Sequence, residues 1–217
     1  MADPAPDLDG FYRRFTAWGA DATIDGYVDL FDPSATLFDS GMPEPLPASG
    51  IRALITRTLG LLEGFRFEPV RHGRSSPEHG ADTLFLEARN SAVLAGEPIT
   101  WPAVYAVTVR GDRVLRGRRY YDQAAILPAA MAAALPAEHP HPDAGPVSLR
   151  PVSVGMADDG WFREWTGTVA PQGTPVRFDA VERHAGGETV WFYNSLVLRP
   201  AAAAAMADML ASVTGSS

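Results

Sequence analysis

The stretch Tyr27-Val-Asp-Leu-Phe-Asp-Pro-Ser-Ala-Thr-Leu-Phe-Asp39 changes its period in the middle. Leading into it, Phe11, Phe15, Trp18, Ile24, Tyr27, Val28 and Phe31 keep mostly helical spacing. That pattern predicts one amphipathic helix, or two broken near Gly19-Ala-Asp21. Asp32-Pro33 ends it. Ala35 to Asp39 then reads as a short strand that closes on an aspartate, a residue strands disfavour. A Gly- and Pro-rich loop over 41–50 follows, then a helix from Ile51 to Leu62, with Ser49 as N-cap and Gly64 past its end.

Beyond Gly64 the helical period gives way to β patterning. Phe65–Gly73, Asp82–Leu94, Ile99–Arg110 and Arg113–Asp122 alternate or are rich in β-branched and aromatic residues. Ser75-Ser-Pro77, Ala95-Gly-Glu-Pro98 and Arg110-Gly-Asp112 separate them as turns, the last as a tight hairpin. Helices, a short strand, a helix and a long meander make an α+β fold: a cone-shaped, curved antiparallel sheet wrapped around N-terminal helices.

An alanine-rich helix is expected over Ala124–Leu135. The proline-rich run 136–146 is a linker; no carboxylate or thiolate spacing around its His139 and His141 supports a metal site. Strands resume at Val147–Met156, Trp161–Val169, Val176–His184 and Thr189–Arg199, and a helix over 201–213 closes the chain. This second set echoes the first at an offset of 77 residues: Phe85, Glu87, Gly96, Pro98, Ala103 and Val104 meet Phe162, Glu164, Gly173, Pro175, Ala180 and Val181. The expected organisation is a cone domain over 1–127, a helix and linker over 128–146, and a partial copy of the cone sheet over 147–217. That copy lacks the N-terminal helices and packs on the first, which favours a monomer with an internal pseudo-dimer, a weak dimer being the alternative.

Composition narrows the function. The 217 residues carry a net charge of −8, against a nucleic-acid or anionic-membrane partner, both of which need a basic footprint. There is no cysteine, so disulfides, thiolate nucleophiles and iron–sulfur ligation are excluded. Asp3, Asp7 and Asp9 stand where a signal peptide would be basic, and no apolar run is long enough to span a bilayer. A cytoplasmic protein is expected. P-loop, dinucleotide-binding, zinc-protease and nucleophile-elbow motifs are absent, and no cofactor is implied.

The Tyr27–Asp39 stretch, with Gly41-Met-Pro-Glu-Pro, Ser49-Gly-Ile-Arg-Ala-Leu and the closing Gly111-Asp-Arg-Val-Leu-Arg-Gly-Arg-Arg-Tyr-Tyr-Asp122, resembles the nuclear-transport-factor-2-like superfamily. Within it, the SnoaL-like polyketide cyclases and ketosteroid isomerases are most similar. The resemblance covers residues 9–127. It implies a cofactor-independent cyclase or isomerase that moves a proton beside a carbonyl of a hydrophobic, polyketide- or terpenoid-like small molecule. Asp39 matches the proton-moving carboxylate, Asp122 the acid/base aspartate of the cyclases, and Tyr105 the neighbourhood of the enolate-stabilising acid.

Local chemistry also supplies alternatives. Asp39 suits a turn and Asp122 an N-cap. Tyr121 and Asp122 point to opposite faces of a strand. Phe15, Trp18, Tyr27, Phe65, Trp101 and Tyr121 suit a flat apolar ligand or a filled core. Glu87 or Asp122 facing inward beside Asp39 would suit an epoxide hydrolase or epoxide-opening cyclase; Glu87 and Arg89 otherwise belong to a solvated sheet face. Trp18 and Trp101 plugging the cone, with Asp39 exposed, would suit a non-catalytic carrier or assembly protein. Arg116, Arg118 and Arg119 read as a charged outer face suited to salt bridges across the pseudo-dimer, and His72 and His79 as loop residues. In the second block Glu182 holds the slot of Tyr105, and the last strand ends in Leu198-Arg-Pro200 without the aspartate.

Overall fold

The computed structural model describes residues 4–39, 42–75, 82–127, 129–134, 148–170 and 175–214. The first helical run is broken in two. Helix α1 spans Leu8–Asp21 and α2 spans Ile24–Asp29, with Ala22 in the left-handed region between them. Asp7 and Thr23 cap the two starts by accepting from Gly10 N and Gly26 N. Helix α3, Ala48–Leu61, begins earlier than expected: Pro47 takes the N-cap position without a side-chain bond, and Ser49 lies inside the first turn.

Ten strands form one sheet: β1 Phe31–Asp39, β2 Leu46–Pro47, β3 Glu63–Ser75, β4 Thr83–Leu94, β5 Glu97–Arg110, β6 Arg113–Tyr120, β7 Ser148–Ala157, β8 Gly160–Val169, β9 Val176–Ala185 and β10 Glu188–Phe192. Their order is β10-β9-β8-β7-β3-β4-β5-β6-β1-β2. The sheet is mixed: β1 runs parallel to β6, with Asp39 beside Arg119, so the expectation of a purely antiparallel sheet fails at this pairing. Asp32-Pro33 lies inside β1, where the register shifts between Phe31 and Thr36. Phe11, Phe15 and Trp18 of α1 and Ile51, Leu54 and Ile55 of α3 bury their apolar faces against the inner face of β3–β6.

Two further expectations are corrected. Ala124–Leu135 is a 3-10 turn, Gln123–Ile126, followed by helix α4, Ala129–Ala134. Leu127 between them is extended, as the residue before Pro128 tends to be. The last strand stops at Phe192, and a second 3-10 turn, Ser195–Leu198, leads into helix α5, Pro200–Thr214. His79, the 136–146 linker with His139 and His141, and Gly173 lie outside the described residues.

The repeat is written into the hydrogen-bond register. Across β4 and β5, Phe85 opposes Ala106, Ala88 opposes Ala103 and Ala92 opposes Ile99. Across β8 and β9 the same offset gives Phe162 opposite Arg183, Trp165 opposite Ala180 and Val169 opposite Val176. β3 and β7 both slip register at a Pro-Val pair, Pro69-Val70 and Pro151-Val152. These slips are bulges, where proline is tolerated within a sheet. After the last long strand of each half, Tyr120-Tyr-Asp122 corresponds to Phe192-Tyr-Asn194. Asp122 and Asn194 each accept from a backbone N–H of the 3-10 turn that follows.

The halves meet through equivalent residues. Two residue pairs join β3 to β7, Arg74 with Met156 and Ser75 with Gly155. The outer faces pack there: Phe85 stacks on Phe162 at 5.6 Å, with planes 2° apart. Val104 and Val181, Tyr120 and Phe192 complete the cluster. Close approach requires glycine on both sides. A Cβ on Gly73 would lie 2.8 Å from the Phe162 ring, and one on Gly155 would lie 2.5 Å from the Phe85 ring.

Candidate functional site

Three neighbouring strands place a row of side chains under the helices. Asp39 on β1 lies beside Arg119 on β6, which opposes Tyr105 on β5. Arg119 donates through Nε and Nη2 to the two oxygens of Asp39, a side-on bidentate pair. Asp39 is 3 % exposed. Burial works against the charge on Arg119, but the Asp39 carboxylate beside it prevails and holds the guanidinium well above its ordinary range. Arg119 is therefore a permanent cation inside the cone.

Around it lies a cavity of about 50 Å³. That is room for a few water molecules or part of a ring, since one water needs roughly 10–15 Å³ by this measure. Trp18, Tyr27, Phe65, Trp101, Tyr105 and Tyr121 form its aromatic wall; Ile55, Thr58, Leu59 and Leu62 of α3 and its end close one side, with Ile126 of the 3-10 turn. Arg119 is the charged group in the lining. Burial pushes the hydroxyls of Tyr27, Tyr105 and Tyr121 above the ordinary phenol range, so all three keep their protons. Tyr105 donates to Asn90 Oδ1 at 3.2 Å, and Phe15 and Phe67 pack edge-on against its ring.

The structure thus brings Tyr105, Trp18, Tyr27, Phe65, Trp101 and Tyr121 to one cavity, with Asp39 directly behind Arg119. Phe15 is not in this wall. It sits deeper, stacked between Phe11 and Trp18 as core. Asp122 is also elsewhere: its Oδ1 accepts from Ala124 N, from Ser195 N and from Ser195 Oγ at 2.8 Å. It caps a turn and ties it to the second half, on the face opposite Tyr121, as strand alternation requires.

Strand alternation also divides the arginines expected on an outer face. Arg116 is exposed, Arg118 bonds Glu164 across the seam, and Arg119 enters the cavity. The parity of Arg119 with Tyr121 was the signal for its inward course. Glu87 leaves the site for the seam, where it faces Arg183, while Arg89 is exposed. The acids required beside Asp39 for epoxide opening are therefore not there among the described residues. His72 lies on the surface against Tyr12. No group of three potential metal ligands occurs among the described residues, and none of their helices is long and apolar enough to cross a membrane.

The second half lacks these groups. Glu182 replaces Tyr105 and accepts from Trp165 Nε1; Gly167 replaces Asn90; Trp191 replaces Arg119. The position of Asp122, expected to have no counterpart near Leu198, is filled by Asn194, because the β9–β10 hairpin is shorter than the β5–β6 hairpin.

No family model and no curated protein matches this chain. Solved structures of similar fold include a hypothetical protein with a ketosteroid isomerase-like fold from Catenulispora acidiphila, 18 % identical over 54 % of this chain and 88 % of that one, TM-score 0.47. An NTF2-like protein from Anabaena variabilis is 18 % identical over 54 % and 92 %, TM-score 0.42. AusH from Aspergillus nidulans is 16 % identical over 53 % and 85 %, TM-score 0.43. Each spans about half of this chain and most of its own length.

Proposed function

We propose that the first half is a cofactor-independent cyclase or isomerase for an apolar, carbonyl-bearing ring compound. The observation that supports this is the Arg119–Asp39 pair, in which Arg119 is the charged group in the wall of a largely apolar cavity and Asp39 is buried behind it. Arg119 and Tyr105 hold the carbonyl oxygen. As that oxygen takes a share of the guanidinium, the Asp39 pair loosens and its carboxylate accepts the proton from the adjacent carbon. The electron pair of the broken C–H bond moves to the oxygen, giving an enolate that Arg119 and Tyr105 stabilise. The proton then returns at another carbon, an isomerisation. Alternatively the enolate carbon attacks a second carbonyl of the same molecule, closing a ring, and the proton goes to the new alkoxide. Leu59 and Leu62 must yield for a ligand of this size.

The test is hydrogen–deuterium exchange of 2-tetralone followed by NMR. The full chain is expected to speed exchange at the activated carbon, and Asp39→Asn to lower the rate about 100-fold or more. Exchange no faster than in buffer, or undiminished in Asp39→Asn, overturns this reading. A second reading, a non-catalytic carrier, is favoured by one observation: Asp39 stands behind Arg119 and outside the cavity lining. It expects 2-tetralone to bind without accelerated exchange.

A further inference from the structure

Asn90 is fully buried on β4, and its amide carries one bond where it could carry more. Its Oδ1 accepts from the Tyr105 hydroxyl at 3.2 Å, while its Nδ2 has no hydrogen-bond partner. A buried donor without a partner is costly, so a polar residue placed there calls for an explanation. Its neighbours do not supply one. Asn90 opposes Phe67 on β3 and Trp101 on β5, both apolar in their contacts. Among the described residues, Tyr105 is the polar side chain that bonds it.

The direction of this bond decides what Tyr105 can do. A phenol has one proton. While Tyr105 donates it to Oδ1, only its oxygen lone pairs face the cavity, and it cannot stabilise an anionic oxygen there. Rotating the Asn90 amide by half a turn reverses the bond. Nδ2 then donates to the tyrosine oxygen, Oδ1 takes its place as the amide atom without a partner, and the Tyr105 proton is freed toward the cavity. Arg119, the opposing residue on β6, is aimed at the same space.

We infer that Asn90 is a positioning residue that lets Tyr105 turn its proton from Asn90 Oδ1 to the cavity when a ligand brings an oxyanion to Arg119. The site therefore selects ligands in their enolate or phenolate form. This rests on the cavity being the binding site, as proposed above, but not on Asp39 acting as a base.

The probe is 4-nitrophenol with the full chain, with bound phenolate and phenol distinguished by absorbance. Wild type is expected to prefer the phenolate. Tyr105→Phe is expected to weaken phenolate binding roughly 10- to 100-fold, the worth of a hydrogen bond to a charged group. Asn90→Asp, an acceptor only, is expected to lose a comparable factor by keeping the tyrosine proton. Adding Asn90→Asp to Tyr105→Phe is expected to cost little more. Asn90→Thr, whose hydroxyl can donate or accept, is expected to stay within about threefold of wild type. Wild-type phenolate affinity in Asn90→Asp overturns the inference, as does a further large loss in the double variant, which would be charge repulsion alone. If Asn90→Asp does not fold, Tyr105→Phe decides: unchanged phenolate affinity overturns it. No binding of either form by wild type overturns both this inference and the cavity reading. Failure of ketone exchange with phenolate binding intact removes only the reaction.

Discussion

The two halves carry the same β-meander, yet they spend its inner face differently. In the first, α1–α3 cover that face, with Tyr105 and Asn90 buried and Arg119 half-buried beneath them. In the second, α4 is the helix that precedes the strands among the described residues, and the positions equivalent to Arg119, Tyr105 and Asn90 hold Trp191, Glu182 and Gly167. There a ladder covers the strands: Arg163 lies over Trp161 and Trp165 at 4.6 and 5.3 Å, His184 stacks on Trp161, and Trp191 stacks on Trp165. Amphipathic side chains thus shield the sheet that helices shield in the other half. A fold does not commit its copies to one chemistry; what lies over the strands decides whether a polar group can be held dry.

The widest contrast concerns pH. Burial holds Tyr27, Tyr105, Tyr120 and Tyr121 above their ordinary value of 10.0 in the folded chain. Below pH 10 these phenols are neutral whether the chain is folded or unfolded, so their contribution is fully present. Above it the unfolded chain ionises first, and stability is lost as pH rises. Alkaline titration is expected to show these four ionising together with loss of circular dichroism. Phenolate absorbance from all four while the fold is intact would contradict the dry surroundings of Tyr27, Tyr105 and Tyr121 under the helices and of Tyr120 at the seam.

The position shared by Arg119 and Trp191 is the next test. Arg119→Ala leaves Asp39 buried without its cation and is expected to cost about 3–5 kcal/mol in urea unfolding. Trp191→Ala, at a 41 % exposed site, removes one stacking partner and is expected to cost about 1 kcal/mol. Equal losses would erase the distinction between covered and uncovered faces. Gly73→Ala and Gly155→Ala press on the seam from opposite sides, and each is expected to cost roughly 1–3 kcal/mol. A large cost on one side only would mean that the halves are not matched there. The smallest effect is at the caps. Asp122→Ala is expected to cost about 1 kcal/mol or somewhat more, and Asn194→Ala less, because Asp122 also holds Ser195.

Much of this was legible locally. The break near Ala22, the approximate limits of β3 to β6 and the 77-residue offset follow from periodicity and turn residues, which act between near neighbours; the start of β1 at Phe31, ahead of Asp32-Pro33, does not. What escaped depends on distant partners. The parallel pairing of β1 with β6 joins residues far apart in the chain, and it makes Arg119 the companion of Asp39. Ser195 claims Asp122 from the other half, and nothing near Asp122 announces it. Asn194 was hidden because a shortened hairpin moved it off the offset that revealed the repeat. The aromatic wall was readable as a set of apolar residues. Whether each lines a cavity or fills a core, as Phe15 does, depends on its depth beneath α1.

The seam's paired residues also bear on symmetry and concentration. In a dimer of identical chains every interfacial substitution appears twice, once on each side. Here Tyr120 donates to Glu164 while its counterpart Phe192 has no hydroxyl, and Glu87, the counterpart of Glu164, faces Arg183 instead. One chain can hold two unlike solutions to the same buried carboxylate. Closing this seam is a unimolecular event, so its stability does not fall on dilution as that of a dimer interface does.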